Sequence, residues 1–220
     1  MSNVAEDTRQ KLIDAAREQF YKKGINETTL EKITRQAFVQ PSAVSYYFGG
    51  KKGLIETVID GFYTRLAEKA MAISDDEKIR PVIWIYLLWS NIACDSNIAR
   101  GMMEFLTMDI SDSDSDPSRS FSQFIQNIKE CFGLKEDDPR PSGEPDYHFI
   151  LNNHMLYGMM KYALKHLEPT RDTAVLLART DTRIKGIIAG VRDLDEIIEK
   201  CREAEAILAG YSLKDLSVEF

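Results

Sequence analysis

The sequence predicts an all-α protein, on three observations. Long stretches carry Ala, Leu, Ile, Glu, Lys and Met, with apolar residues recurring every three to four positions. No run alternates apolar and polar residues as a half-buried strand would. The 12 glycines and 7 prolines fall mostly where those periodic stretches stop. Apolar residues make up 44% of the 220, enough to fill a core and too many for a disordered chain.

The first helix is expected over 8–23. Leu12, Ile13, Ala16 and Phe20 form its apolar stripe, and Lys22, Lys23 and Gly24 make a C-terminal stop. The second is expected from Thr28 to Ala37, with Thr28 and Glu31 spaced as a capping box and Leu30, Ile33 and Ala37 inward. A very short connection, Phe38-Val39, leads to Gln40-Pro41. Proline at the first helical position suits a helix because its missing N–H would have had no partner there. That third helix runs over about 41–47 and stops at Gly49-Gly50. A long fourth helix follows over 51–73, its inward stripe Leu54, Ile55, Val58, Ile59, Phe62 and Leu66. Three short helices, the second and third joined by a tight turn, are the pattern of a helix-turn-helix, whose later helix is free to lie in a DNA major groove.

Beyond residue 73 helices are expected near 79–95, 97–109, 118–132, 146–167 and 171–208, the last left open to a break. Two polar, acidic, proline-bearing loops, SDSDSDPS at 111–118 and LKEDDPRPSGEP at 134–145, separate some of them. No repeat of 20–50 residues is present.

Charge divides the chain the same way. The whole carries −7, an overall sign that argues against nucleic acid. Residues 1–53, however, hold nine Lys/Arg against six Asp/Glu, while residues 54–220 hold nineteen against twenty-nine. A small, mildly basic unit on an acidic body is implied. The N-terminus has neither the basic nor the apolar region of a secretory signal, and the longest apolar run, PVIWIYLLW at 81–89, is half the ~18 residues that a membrane span needs. Cys94, Cys131 and Cys201 are far apart and suggest no metal pair or disulfide framework. The expected location is the cytoplasm, with no membrane partner.

The run from Ala15-Ala16 to Phe20, Gly24, Thr28-Thr29 and Ile33 closely resembles the N-terminal domain of TetR-type transcriptional regulators (AcrR-like). So do Ala37-Phe38-Val39 and the stretch Val44-Ser45-Tyr46-Tyr47-Phe48-Gly49-Gly50-Lys51-Lys52-Gly53-Leu54. The likeness covers about fifty of the 220 residues, and the ordered set of positions is more specific than any single motif. It departs from the family at Phe38, where the turn usually carries glycine, and at Ser45, where many relatives have tyrosine. The resemblance implies a DNA-binding domain over 1–52 and a helical effector-binding and dimerisation domain over 53–220. It further implies a homodimeric repressor of bacterial transcription that a small molecule releases from a palindromic double-stranded operator. No cofactor, no metal and no enzymatic activity are expected.

Carried over residue by residue, the resemblance places Gln40, Pro41, Ser42, Ala43 and Ser45 at the front of the recognition helix. Serine hydroxyls there can meet several bases, and Pro41 and Ala43 offer apolar contact to a thymine methyl. None is an Arg or Lys set for a bidentate grip on guanine, so DNA shape is expected to share the readout. Tyr46 and Tyr47, Lys51 at the start of the fourth helix, and Thr28 and Thr29 at the second are the expected phosphate contacts. One recognition helix buries too little surface for tight binding, so a dimer reading two half-sites about 34–36 Å apart follows. The family's last two helices form that dimer. Here they are 146–167 and 171–208, with Ile184, Ile187, Val191, Leu194 and Ile198 recurring along the latter. Gly186 and Gly190, four apart, mark either close backbone approach or a break.

The effector's site is expected among Trp84, Trp89, Met102, Met103, Phe105, Phe124, His148, His154 and Tyr157, a set that suits an apolar or aromatic molecule, although such stripes are more often core. Without an effector, the alternative is a helical DNA-binding protein acting architecturally or through a protein partner. Asp112, Asp114 and Asp116 imitate a calcium loop, but Pro117 stands where its glycine belongs and Gln123 where its last carboxylate belongs. Nothing spaces a nucleophile, base and orienting acid, or forms a phosphate-cradling glycine loop.

Overall fold

The computed structural model describes residues 3–108, 127–134 and 147–220. The expected acidic loops at 111–118 and 134–145, apart from Leu134, lie outside the described residues, as do Asp112, Asp114, Asp116, Phe121 and Phe124. Of the helix expected over 118–132 only 127–132 is described, helical through Cys131. The architecture is all-helical, with no strand among the described residues. The chain divides into two compact units. The first holds residues through Arg65, the segment that begins at Ser96, and Glu219–Phe220; the second holds Leu66–Asp95 and the described residues from 127 to Val218.

In the first unit, α1 spans Asn3–Lys23, α2 Leu30–Ala37, α3 Ser42–Phe48, and α4 Lys51–Ile73, of which residues 51–65 belong here. The α1 stripe forms as its spacing predicts, with Leu12, Ala16 and Phe20 wholly buried. All six residues expected on the inner face of α4, Leu54 to Leu66, are buried as well. The cap of α2 differs from expectation. Thr29, not Thr28, is the capping residue, and its hydroxyl oxygen accepts from the Lys32 N–H. Thr28 lies one residue too early because its hydroxyl is already engaged, donating to the Gly24 carbonyl at 2.7 Å in a buried turn.

The next two helices are α5 (Arg80–Cys94), in the second unit, and α6 (Ser96–Leu106), in the first. Glu104 of α6 accepts from the backbone N–H groups of Ile25 and Asn26, at 2.5 and 3.0 Å, and Arg100 donates to the Tyr21 carbonyl at 2.8 Å. One carboxylate thus satisfies two amides of the α1–α2 turn that no helix would otherwise pair. Phe220 is buried against Phe62, with ring centroids 5.6 Å apart, and Arg65 donates to the Glu219 carbonyl.

The second unit is built round α5. Ten of its residues between Val82 and Ile92 are buried, the mark of a helix apolar on every side and packed all round. With it are α7 (Tyr147–His166), α8 (Arg171–Ala189), α9 (Leu194–Leu208) and the single turn α10 (Leu213–Leu216). The span 171–208 is therefore two helices. Gly190, at φ 95°, ends α8, and Asp193 caps α9. Gly186 has a different reason: a Cβ there would lie 2.6 Å from the end of the Ile197 side chain, so α9 packs closely on α8 at this position and a larger residue would make Ile197 shift.

Candidate nucleic-acid interface

Helix α3 is held by a single buried residue, Val44, at its centre. Its remaining positions turn outward or lie at the margin. Gln40, Pro41, Ser42, Ser45 and Tyr46 are exposed or nearly so, and Ala43, Tyr47 and Phe48 are half-buried. The helix opens with the N–H groups of Ala43 and Val44 donating to the carbonyls of Gln40 and Pro41, and closes at Gly49, whose N–H reaches the Ser45 carbonyl. Seven residues with one anchor make a ridge with little role in the core, which leaves its polar front available to a partner.

The aromatic run is ordered as a chain. The Tyr46 ring, 81% exposed, meets Tyr47 edge-on with centroids 4.8 Å apart. Tyr47 leans on Phe48, and the Arg9 guanidinium stands 5.4 Å over the Phe48 ring. A cation from α1 thus fixes the base of the stack while the outermost ring faces solvent. Arg9 has no motif around it that would have picked it out in the sequence.

The expected phosphate contacts separate on inspection. Thr29 is exposed but uses its oxygen as a cap, and Thr28 is wholly buried. Lys51 is half-buried and donates to the Ile25 carbonyl at 2.8 Å, leaving two of its three donors. Partial burial holds its ammonium below the usual lysine range, against the pull of Glu104. Lys52, to which the sequence pointed only within a longer motif, carries an ammonium with no hydrogen-bond partner among the described residues. Several other cations of this unit, including Lys11, Lys22 and Arg35, are paired with carboxylates one helical turn away. Such exposed pairs contribute little to stability.

The expected effector residues scatter. A cavity of about 520 Å³ lies in the second unit, lined by Ala67, Ala70, Met71, Trp84, Cys131 and Asn127 together with Glu77, Lys78, Arg80, Pro81 and Glu130. Of the expected residues that are described, only Trp84 lines it. Burial pushes the Cys131 thiol up to about 12, so it presents a neutral group. Trp89 is wholly buried and donates from Nε1 to Asp181 at 2.9 Å. His154 is exposed and Tyr157 half-buried beneath Lys161. Met102 is buried, and Met103 and Phe105 half-buried, on α6 of the first unit. Phe124 and the side chains of Tyr147, His148 and Phe149 lie outside the described residues.

Sequence reasoning missed the polar interior of the second unit. Asp181 and Lys185 are buried and paired, and Tyr86 donates at 2.6 Å to Glu205, which Arg179 grips with two nitrogens. A signal existed: Asp181 and Lys185 fall on the same face of α8 as Leu177, Ala178 and Ala189. Among the expected dimer residues, Ile187 and Leu194 are 58% and 54% exposed, Ile184 and Ile198 are half-buried, and Val191 is buried within its own chain. No helix among the described residues is long and apolar enough to cross a membrane.

Comparison with known proteins adds to this geometry. Residues 12–58 match the model of bacterial regulatory proteins of the tetR family. Over 55 residues the chain is 44% identical to the HTH-type transcriptional regulator SrpR of Pseudomonas putida, covering 25% of this chain and 26% of that protein. Over 78 residues it is 31% identical to the HTH-type transcriptional regulator TtgR, also of Pseudomonas putida, covering 36% and 37%. The chain thus matches between about a quarter and two fifths of the length of these curated relatives. A tetR-family transcriptional regulator of Streptomyces coelicolor shares the fold over 94% of this chain and 90% of its own, with a TM-score of 0.54 at 14% identity.

Proposed function

We propose that this chain, whose residues 12–58 match the model of bacterial regulatory proteins of the tetR family, is a sequence-specific transcriptional regulator that binds a palindromic operator as a homodimer and is released by a small molecule. The observation that carries the reading is α3: a short ridge with one buried residue, an exposed polar front and an aromatic stack fixed from beneath. Residues 1–52 supply the DNA contacts, and 53–220 the effector site and the dimer. Ser42, Ser45 and Gln40 face the base edges, and Tyr46 and the remaining donors of Lys51 face phosphates.

The dimer surface lies on α8 and α9, which carry Ile187 and Leu194 as exposed apolar groups. The effector enters the cavity beside Trp84, whose ring favours an apolar or aromatic molecule. That cavity is also what favours an effector-responsive protein over an architectural one. No catalytic step belongs to the reading, and its setting is the bacterial cytoplasm, on the nucleoid when bound.

Selection of bound duplexes from a random pool tests the proposal. The expected product is an inverted repeat with half-site centres about 34–36 Å apart, bound with a steep loss of affinity as salt rises. Tyr46→Ala, at an exposed position that the core does not use, is expected to weaken binding about tenfold through loss of its hydrogen bond to a phosphate, with the salt slope nearly unchanged because a neutral hydroxyl neutralises no phosphate charge. If the purified protein enriches no sequence, the reading fails. If it enriches one that Tyr46→Ala binds equally well, the contact surface is elsewhere.

A further inference from the structure

The turn between α2 and α3 contains a residue that neither the fold nor the roles assigned above explain. The N–H of Val39 donates to the Thr34 carbonyl at 3.0 Å, and that of Phe38 to the Arg35 carbonyl at 3.3 Å. This closure requires the left-handed backbone at Phe38, which has φ 56° and ψ 41°. Phe38 is the one non-glycine residue at positive φ among those described. A bulky side chain is strained there, and glycine is the residue that the conformation favours. The ring recovers nothing by packing, since Phe38 is 95% exposed, the largest exposure among the big apolar residues described.

We infer that Phe38 is a base-reading residue, its ring resting on the 5-methyl group of a thymine at the edge of each half-site; this rests on the DNA-binding reading above. Position supports it. Phe38 precedes Ser42, the first residue of α3, by four positions, so their Cα atoms are at most about 14 Å apart, against a major groove about 12 Å wide. Rigidity supports it too: two hydrogen bonds fix the backbone, so little freedom remains to be lost on binding.

The neighbouring chemistry narrows the target. From Phe38 to Phe48 there is no Arg or Lys to grip guanine, and the outward groups are mainly hydroxyls and small apolar surfaces. In the major groove of unmodified DNA the apolar feature on a base edge is the thymine methyl. A strained, uncovered phenyl ring at the head of such a helix is matched to that group. The operator is accordingly expected to hold an A·T pair at the position that Phe38 reaches.

The test uses the full chain and the operator duplex enriched from the random pool, made with thymine or with deoxyuridine at single positions. Removing one methyl contact is expected to cost wild type about fourfold per half-site at the position read, the equivalent of burying one methylene. Phe38→Gly and Phe38→Asn, both of which accept positive φ, are expected to bind thymine and deoxyuridine duplexes equally and more weakly than wild type. Phe38→Gly is also expected to raise the melting temperature by about 2–4 °C, by relief of the strained turn. A variant more stable yet weaker in binding separates this role from a structural one. The inference is overturned if wild type and Phe38→Gly show the same thymine-to-deoxyuridine ratio at every position, or if Phe38→Gly binds the thymine duplex as tightly as wild type. If no sequence is enriched at all, the DNA-binding reading fails and this inference falls with it.

Discussion

Helices α3 and α5 are built on opposite principles. α3 buries one residue of its seven, and α5 buries ten of its fifteen. The first is positioned by its ends, through Pro41, Gly49 and the turn at Phe38, and its sides remain free. The second is positioned by its sides, and the polar atoms it takes inward have partners: Trp89 with Asp181, Tyr86 with Glu205, and Asn91 with the carbonyls of Leu87 and Leu216 and the N–H of Val218. A surface that reads another molecule tolerates substitution in the fold and punishes it in binding. An interior helix does the reverse.

The sharpest way to break that contrast is Asp181→Ala. It leaves the Lys185 ammonium buried without its carboxylate and the Trp89 N–H without its acceptor. The expected loss is about 3–5 kcal/mol, the usual effect of removing one partner of a buried pair. Replacing both, as Asp181→Leu with Lys185→Met, is expected to recover most of it. Denaturant unfolding measures both variants. A single variant as stable as the wild type would mean that the pair is not closed off from water.

Next in size is Gly101→Ala. A Cβ at this position would lie 2.7 Å from the Phe220 ring, so the methyl and the ring cannot both keep their places. Overpacking of this kind costs about 1–3 kcal/mol. Paired with Phe220→Leu the cost is expected to shrink, and additivity in the double-mutant cycle would show that the two positions do not press on each other.

The Glu205 contribution is smaller, because the carboxylate is partly open to solvent. The paired Arg179 guanidinium holds its carboxyl below the usual glutamate range, and the Tyr86 hydroxyl adds to the effect. The sign follows from that direction. An acid with a depressed folded-state pKa stabilises the protein above its unfolded value, and the contribution fades as pH falls through the folded value. Unfolding followed from about pH 7 into the acid range is therefore expected to show a steeper loss for wild type than for Glu205→Gln. Parallel curves would show that the Arg179 contact carries no net stability.

What the sequence made legible follows the same division. The helices of the first unit could be located because their signals are local: Gly24, Pro41 and Gly49-Gly50 as punctuation, and a helical-period stripe from Leu54 to Leu66. The displaced cap shows the limit even here, since the Thr28 hydroxyl is claimed by the Gly24 carbonyl. The second unit shows its helices in the sequence but not its site. Trp84 and Trp89 lie on one helix and are equally aromatic, yet one lines a cavity and the other is sealed against Asp181. That distinction is made by α8, far later in the chain. Composition ranks both as pocket candidates, and only tertiary packing separates them. Phe38 is the converse case: a local oddity visible in the sequence, whose meaning needed the backbone angle and the exposure.

The smallest effect tests the cap at Thr29. Thr29→Ala removes the oxygen that accepts the Lys32 N–H, and the loss of an N-cap costs about 1 kcal/mol. Thr29→Ser keeps that oxygen and is expected to be nearly neutral. Helix α2 is only eight residues long, so its first turn is a large part of it, and the cost is expected to appear as faster amide exchange over Leu30–Ile33 rather than as global unfolding. The position also bears on recognition, because α2 ends in the turn that carries Phe38 and begins at this cap. A frayed first turn with the Val39 to Thr34 hydrogen bond intact is expected to leave operator affinity within about twofold, since none of the proposed base contacts moves. Should Thr29→Ala instead abolish binding while exchange over α2 stays slow, Thr29 would be a phosphate contact in its own right and its cap a secondary use of the same oxygen.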